Sequence, residues 1–220
     1  MGSEVSSSTQ DSLPIRLFLN RWFEKLVSFP DVGERDFEQA RSEFGRALDR
    51  HNRRLPDANA FWGWKNPRSM WLLPFYLQLY PNLKFVHVVR DARDMALSSN
   101  MFLLNKHGDY LLTPLWRKNP AVAQMALWAR GNMQAATAAE KCMPGNYLLL
   151  RYEDMCRDKE ETLGKLLNFL GAARENVDMD ELVGMIRPSG GIGRGETSQE
   201  TEVAALDPDV SAALGYFRYT

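Results

Sequence analysis

The stretch FVHVVRDARDMALSS, residues 85 to 99, gathers two arginines and two aspartates where a β-branched and aromatic run gives way to helix formers. Arg90 stands at the carboxyl end of the expected strand, and the following helix presents free backbone N–H groups beside it. A helix start carries about half a positive charge, and a guanidinium fork matches a phosphate in shape and charge. That combination suits a phosphomonoester dianion. Ser98 falls eight residues after Arg90, so its hydroxyl reaches the same ligand only if the helix packs across the site. The plainer alternative is a solvated helix start, with Arg90 and Asp94 forming an i,i+4 pair worth about 0.2–0.5 kcal/mol.

Other chemistry-bearing stretches are fewer. PSGGIGRGE (188–196) is a glycine-rich loop holding Ser189, Gly193 and Arg194, but no G-x-x-x-x-G-K-[ST] phosphate loop occurs anywhere in the chain. NKHGDYLLTPLWRKNP (105–120) is long and irregular for a connection, which makes it a candidate binding loop carrying His107. Cys142 and Cys156 lack the C-x-x-C spacing of a metal or redox site and read as two buried, reduced thiols; no metal site is expected.

The elements that must hold these residues follow from periodicity. SLPIRLFLNRWFEKLVSF (12–29) carries an apolar helical face, 36–55 reads as a polar surface helix, and FWGWK (61–65) as a short aromatic strand. A helix opens at Pro67 and stops before Pro81. LKFVHVV (83–89) and NYLLLRY (146–152) are the two clearest strands, the first suited to burial on both faces. Helices are expected over 92–104, over about 121–142, and over KEETLGKLLNFL, which Gly171 stops. Strands alternating with helices predict an α/β fold with a mostly parallel sheet, helices on both faces, and a ligand at the carboxyl ends of the strands.

Composition limits the alternatives. The chain has 220 residues, 45% of them hydrophobic, which fits one domain over 1–220 with residues 1–11 flexible. Twenty-seven basic against 28 acidic residues leave a net charge of −1, the wrong footprint for general nucleic-acid binding, so an anion must be held locally. No apolar run approaches a membrane span, and the opening MGSEVSSSTQDS lacks the apolar core of a signal peptide, so a cytoplasmic protein is expected.

Taken in order, KNP…YPNLKFVHVVRDARDMALSS…W…YLLLRYEDM…TLGKLLNFLG resembles the PAPS-dependent sulfotransferases, especially the branch with bacterial enzymes and the Golgi tyrosylprotein and carbohydrate enzymes. The resemblance runs from about Trp62 to Gly171 and more weakly to about Arg194. It implies a three-layer, P-loop-like sulfotransferase fold. It also implies transfer of a sulfonate from 3'-phosphoadenosine 5'-phosphosulfate (PAPS) to a hydroxyl or amine of a small-molecule, carbohydrate or peptide acceptor, leaving PAP. By the same resemblance Arg90 and Ser98 bind the 3'-phosphate. Lys65 in WKNP reaches the leaving phosphate and the bridging oxygen, though a strand-end lysine is commonly just solvated. Tyr152 packs against the adenine or is simply a core tyrosine. Ser189, Gly193 and Arg194 fold over the cofactor's phosphate. Ala92 stands at the usual Pro or Gly of R-D-x-R-D, and Arg93 and the two aspartates are expected to hold the turn.

The sequence departs from the family in one respect. It has no P-[RK]-S-G-T-[ST] loop for the 5'-phosphosulfate; its only PRS, Pro67 to Ser69, continues with Met70 and Trp71. The expectation is that the first strand, this loop and part of the first helix are absent, and that the chain alone transfers little sulfonate. A non-catalytic remnant that binds PAP-like nucleotides or a protein partner is the alternative. A nucleotide kinase relative ranks last, for want of the phosphate loop. Glu4 is the only acid placed like the family's general base, and it also reads as a surface acid near the chain's start. His107 is the second candidate.

Overall fold

The computed structural model describes residues 13–53, 62–112, 114–199, 201 and 207–219. Glu4 and the opening segment expected to be flexible lie outside them. The chain divides into two compact units, meeting in sequence between Leu79 and Tyr80.

The first unit is helical. It comprises α1 (Leu13–Leu26), α2 (Glu34–Asn52), a 3-10 turn (Pro67–Leu72) and α3 (Leu73–Leu79). α1 buries Ile15, Phe18, Leu19, Trp22, Phe23 and Leu26, the i, i+3, i+4 set of one face, and packs on α2. Phe44 is the hub of this unit, with ring centroids 4.9 Å from both Phe18 and Tyr76. The expected strand over 61–65 is not formed: residues 62–66 carry no ladder partner among the described residues. Side chains hold this segment instead. Trp64 donates its indole N–H to Ser69 Oγ at 2.9 Å and stacks edge-on against Phe44, and the Gly63 carbonyl meets His51 Nε2 at 2.9 Å.

The second unit is mixed α/β. It runs β1 (Phe85–Val89), α4 (Ala92–Ala96), α5 (Phe102–Leu111), a 3-10 turn (Pro114–Lys118), α6 (Pro120–Cys142), β2 (Tyr147–Arg151), α7 (Tyr152–Arg157), α8 (Lys159–Leu170), α9 (Met179–Met185) and α10 (Pro208–Tyr216). β1 and β2 pair in parallel, in register from Phe85↔Tyr147 to Val89↔Arg151. A parallel pair needs a crossover, and α4 to α6 supply it. Among the described residues this two-stranded sheet is the whole of the β structure, so the chain is a helix-rich α/β protein and a broad three-layer sheet is not evident.

Burial on the sheet is asymmetric. His87 and Val89 are covered on the side of α6 and α10, where Met125, Trp128, Val210, Leu214 and Phe217 form the core. Val88 faces the other way and is 49% exposed, so β1 is not buried on both faces as expected. Its register partner Leu150 is buried on that second side, where α8 packs against β2.

Three more expectations need correction. The helix over 92–104 breaks at Leu97 into α4 and α5, because Ser98 Oγ accepts the Asn100 N–H and Asn100 Oδ1 accepts the Phe102 N–H, local bonds that compete with the helix ladder. The stretch 105–120, expected to be a loop, is helical over most of its length. Leu104, His107, Gly108 and Leu111 form the inward face of α5, and Gly108 is required there: a Cβ would lie 2.8 Å from Trp116 Nε1. The cysteines are free but not buried, since Cys142 ends α6 in solvent and Cys156 is half-exposed. Gly171 does stop α8, with φ 76° and the Ala172 N–H bonded to Leu167 O at 3.0 Å. No described helix is long and apolar enough to cross a membrane.

Candidate functional site

At the carboxyl end of β1 the chain turns sharply into α4. Asp91 caps that helix, its Oδ1 accepting the Arg93 N–H at 2.8 Å. The same carboxylate takes a forked pair from Arg93, with Nη2 to Oδ2 at 2.6 Å, and this bond raises the arginine's already high pKa. Arg93 and Asp91 therefore hold the turn.

Asp94 is 2% exposed and points across to the glycine-rich loop. Its Oδ2 accepts the Gly193 N–H and its Oδ1 the Gly195 N–H, both at 2.9 Å. Arg90 Nη2 stands 3.6 Å from Oδ2, so the i,i+4 pair exists but is part of a buried clamp instead of a solvated surface. Gly195 is the reason the loop closes so tightly: a Cβ there would lie 2.2 Å from the Arg93 carbonyl carbon. Gly193 adopts φ 79°, which favours glycine.

The clamp brings two cations together. A Cβ at Gly191 would meet Arg194 Cζ at 3.2 Å and Arg90 Nη2 at 3.3 Å, so both guanidinium groups flank one bare glycine. Arg194 Nη2 donates to the Asp94 backbone oxygen at 3.1 Å, and Arg90 lies over the Tyr152 ring at 5.2 Å. Tyr152 opens α7, and its hydroxyl accepts the Ser189 N–H at 2.9 Å. Arg90 Nε and Ser189 Oγ are buried without a hydrogen-bond partner. Buried polar groups are usually paired, so both have hydrogen-bonding capacity to offer a ligand. Two arginines, a hydroxyl and an aromatic face fit a phosphorylated nucleoside: the guanidinium pair for a dianion, the ring for a base.

Arg90, Tyr152, Ser189, Gly193 and Arg194 thus gather around one turn. Ser98 sits past the end of α4, half-buried, in a cleft of about 560 Å³ lined with Leu97, Ser99, Lys118 and Asn119. None of the arginines lines that cleft. Lys65 is exposed in the first unit, one residue before Asn66, whose side chain caps the 3-10 turn at the Arg68 N–H. His107 is 3% exposed on the inner face of α5, which removes the solvent access expected of a loop histidine.

Residues missed in the sequence hold the turn from behind. Trp128 Nε1 donates to the Arg90 carbonyl at 2.9 Å, and Glu153 Oε1 accepts the Asp91 N–H at 3.0 Å. The Tyr219 hydroxyl bonds Glu153 Oε2 at 2.7 Å. Glu153 adjoins Tyr152 in RYEDM, a signal that was there to use; Tyr219, the next-to-last residue, had none.

The paired arginines thus lie at the carboxyl end of a parallel strand pair in an α/β unit, where such folds commonly place their ligands. The profile of the Sulfotransferase family matches residues 12–176, most of the chain, and the protein belongs to that family. No curated protein and no solved structure matches it significantly.

Proposed function

We propose that the protein transfers a sulfonate group from PAPS to a hydroxyl or amine acceptor. The observation that carries this reading is the convergence of Arg90 and Arg194 on Gly191, with Ser189 Oγ and Arg90 Nε buried and unpartnered beside them. When bound, PAPS supplies a sulfonate activated by its anhydride bond to phosphate. Arg90 and Arg194 hold the nucleotide's 3'-phosphate, the group that separates PAPS from ATP. Tyr152 offers its ring to the nucleoside, and Asp94 keeps the loop folded over the site through two backbone amides. Lys65 is assigned by resemblance to the leaving phosphate, where a cation stabilises charge developing on the bridging oxygen. The same resemblance assigns Ser98 to the 3'-phosphate, although its cleft is not lined by either arginine, and Glu4 to the base that takes the acceptor's proton.

A second reading, nucleotide binding without transfer, would be served by the same convergence of Arg90 and Arg194. Two measurements decide. Calorimetry should show PAP binding that Arg90→Ala weakens by about 2 kcal/mol or more, the cost of removing one partner of a desolvated charge pair, with a smaller loss for Lys65→Ala. Equal losses, or none, would remove Arg90 from the site. Transfer of radiolabelled sulfonate from PAPS to phenols, alcohols and amines then separates enzyme from binder.

A further inference from the structure

The strand ladder ends at Val89, yet both ends of the Arg90–Asp91 peptide group beyond it are held by side chains. The Arg90 carbonyl is taken by Trp128 of α6, and the Asp91 N–H by Glu153 of α7. Glu153 is in turn held by the chain's last turn. Tyr219 is 4% exposed, its hydroxyl 2.7 Å from Glu153 Oε2 and 3.2 Å from the Val89 carbonyl. A hydroxyl has one proton, and the shorter contact to the charged oxygen takes it. Arg151 lies over the Tyr219 ring at 4.3 Å, and Trp128 meets its edge at 6.2 Å.

The backbone is strained to deliver this ring. Arg218 adopts φ 61°, a left-handed conformation in a residue with a side chain, and the Tyr219 N–H then bonds Leu214 O at 2.8 Å. Such strain persists only where the surroundings fix it. The segment lies beyond the residues matched by the family profile, which ends at 176.

We propose that Tyr219 is a positioning residue for the nucleotide: by orienting Glu153 it fixes the Asp91 amide and so the direction in which Arg90 presents its guanidinium group. The donor's phosphate is therefore gripped in part from the far end of the chain. The inference rests on the assignment of Arg90 to the nucleotide's 3'-phosphate.

The test compares PAP with 5'-AMP, which lacks the 3'-phosphate, by calorimetry and by competition at millimolar concentration. Tyr219→Phe keeps the ring and removes the hydroxyl. It should weaken PAP about 5- to 20-fold and leave 5'-AMP unchanged, while Tyr216→Phe, whose hydroxyl meets Glu140 at the surface, changes neither. An unchanged PAP affinity overturns the proposal. So does an equal loss for both nucleotides, which is what a merely structural tyrosine would give. If Tyr219→Phe does not fold, Glu153→Gln decides by the same comparison, with a two- to fivefold loss confined to PAP expected and none overturning. Arg90→Ala runs alongside: if it leaves PAP binding intact, the nucleotide assignment fails first, whereas a loss there without one at Tyr219 sinks only the positioning role.

Discussion

Asp94 and Gly195, 101 positions apart, are joined by a carboxylate oxygen 2.9 Å from a backbone N–H that is fully buried. That bond, doubled at Gly193, makes the glycine-rich loop an extension of the turn after β1.

The closeness of this contact leaves no room at Gly195. Gly195→Ala would drive a methyl to within 2.6 Å of three Arg93 atoms, whereas Gly190→Ala meets nothing within 4 Å. Overpacking of this kind costs about 1–3 kcal/mol, and in a chain of this size each kcal/mol lowers the melting temperature by about 2–4 °C. Calorimetric melting should find Gly195→Ala clearly destabilised and Gly190→Ala close to the parent.

Asp94→Asn replaces one of two acceptor oxygens with a donor that faces a backbone N–H. One buried amide is left unmade, a cost of about 1–3 kcal/mol. Hydrogen exchange should quicken at Gly193 and Gly195 before it does in β1, and uniform exchange across the second unit would argue against the clamp.

Ser189 carries a buried hydroxyl with no partner. Ser189→Ala removes an unsatisfied group, so the ligand-free protein should melt at the same temperature or slightly higher. PAP affinity should fall severalfold. A stability loss without an affinity loss would show that the hydroxyl serves the loop instead of the ligand.

His87 is buried beneath Phe217, with Asn132 Oδ1 2.8 Å from Nε2 and the Tyr147 hydroxyl 3.1 Å from Nδ1. Burial is the main cause that pushes its pKa below the ordinary value of about 6.5, and the Asn132 bond only partly opposes this. The unfolded chain therefore binds the proton first, and stability falls as pH drops through the window between about 6.5 and the lower native value, with a slope of at most about 1.4 kcal/mol per pH unit. Denaturant unfolding between pH 5 and 8 should show a shallower loss for His87→Gln than for the parent.

Local and periodic features could be read from the residues directly. The β-branched run of β1, the glycine after α8, the apolar face of α1 and the parallel crossover all follow from preferences that neighbouring residues settle among themselves. The family, too, was legible, because RDARD and RYEDM keep their order and spacing along the chain. Sequence did not decide where a segment's backbone bonds would go once side chains competed for them. Residues 62–66 have a strand's composition but are held by Ser69 and His51, and 105–120 has a loop's composition but folds inward once Gly108 admits Trp116. The candidate site shows the same division. Arg90 could be picked out as a strand-end arginine, whereas its convergence with Arg194, the burial of Asp94 and the support from Glu153 and Tyr219 depend on contacts between residues 60 to 130 positions apart. Long-range contacts of that kind are fixed by packing, which no local preference encodes, so only the tertiary structure could decide them.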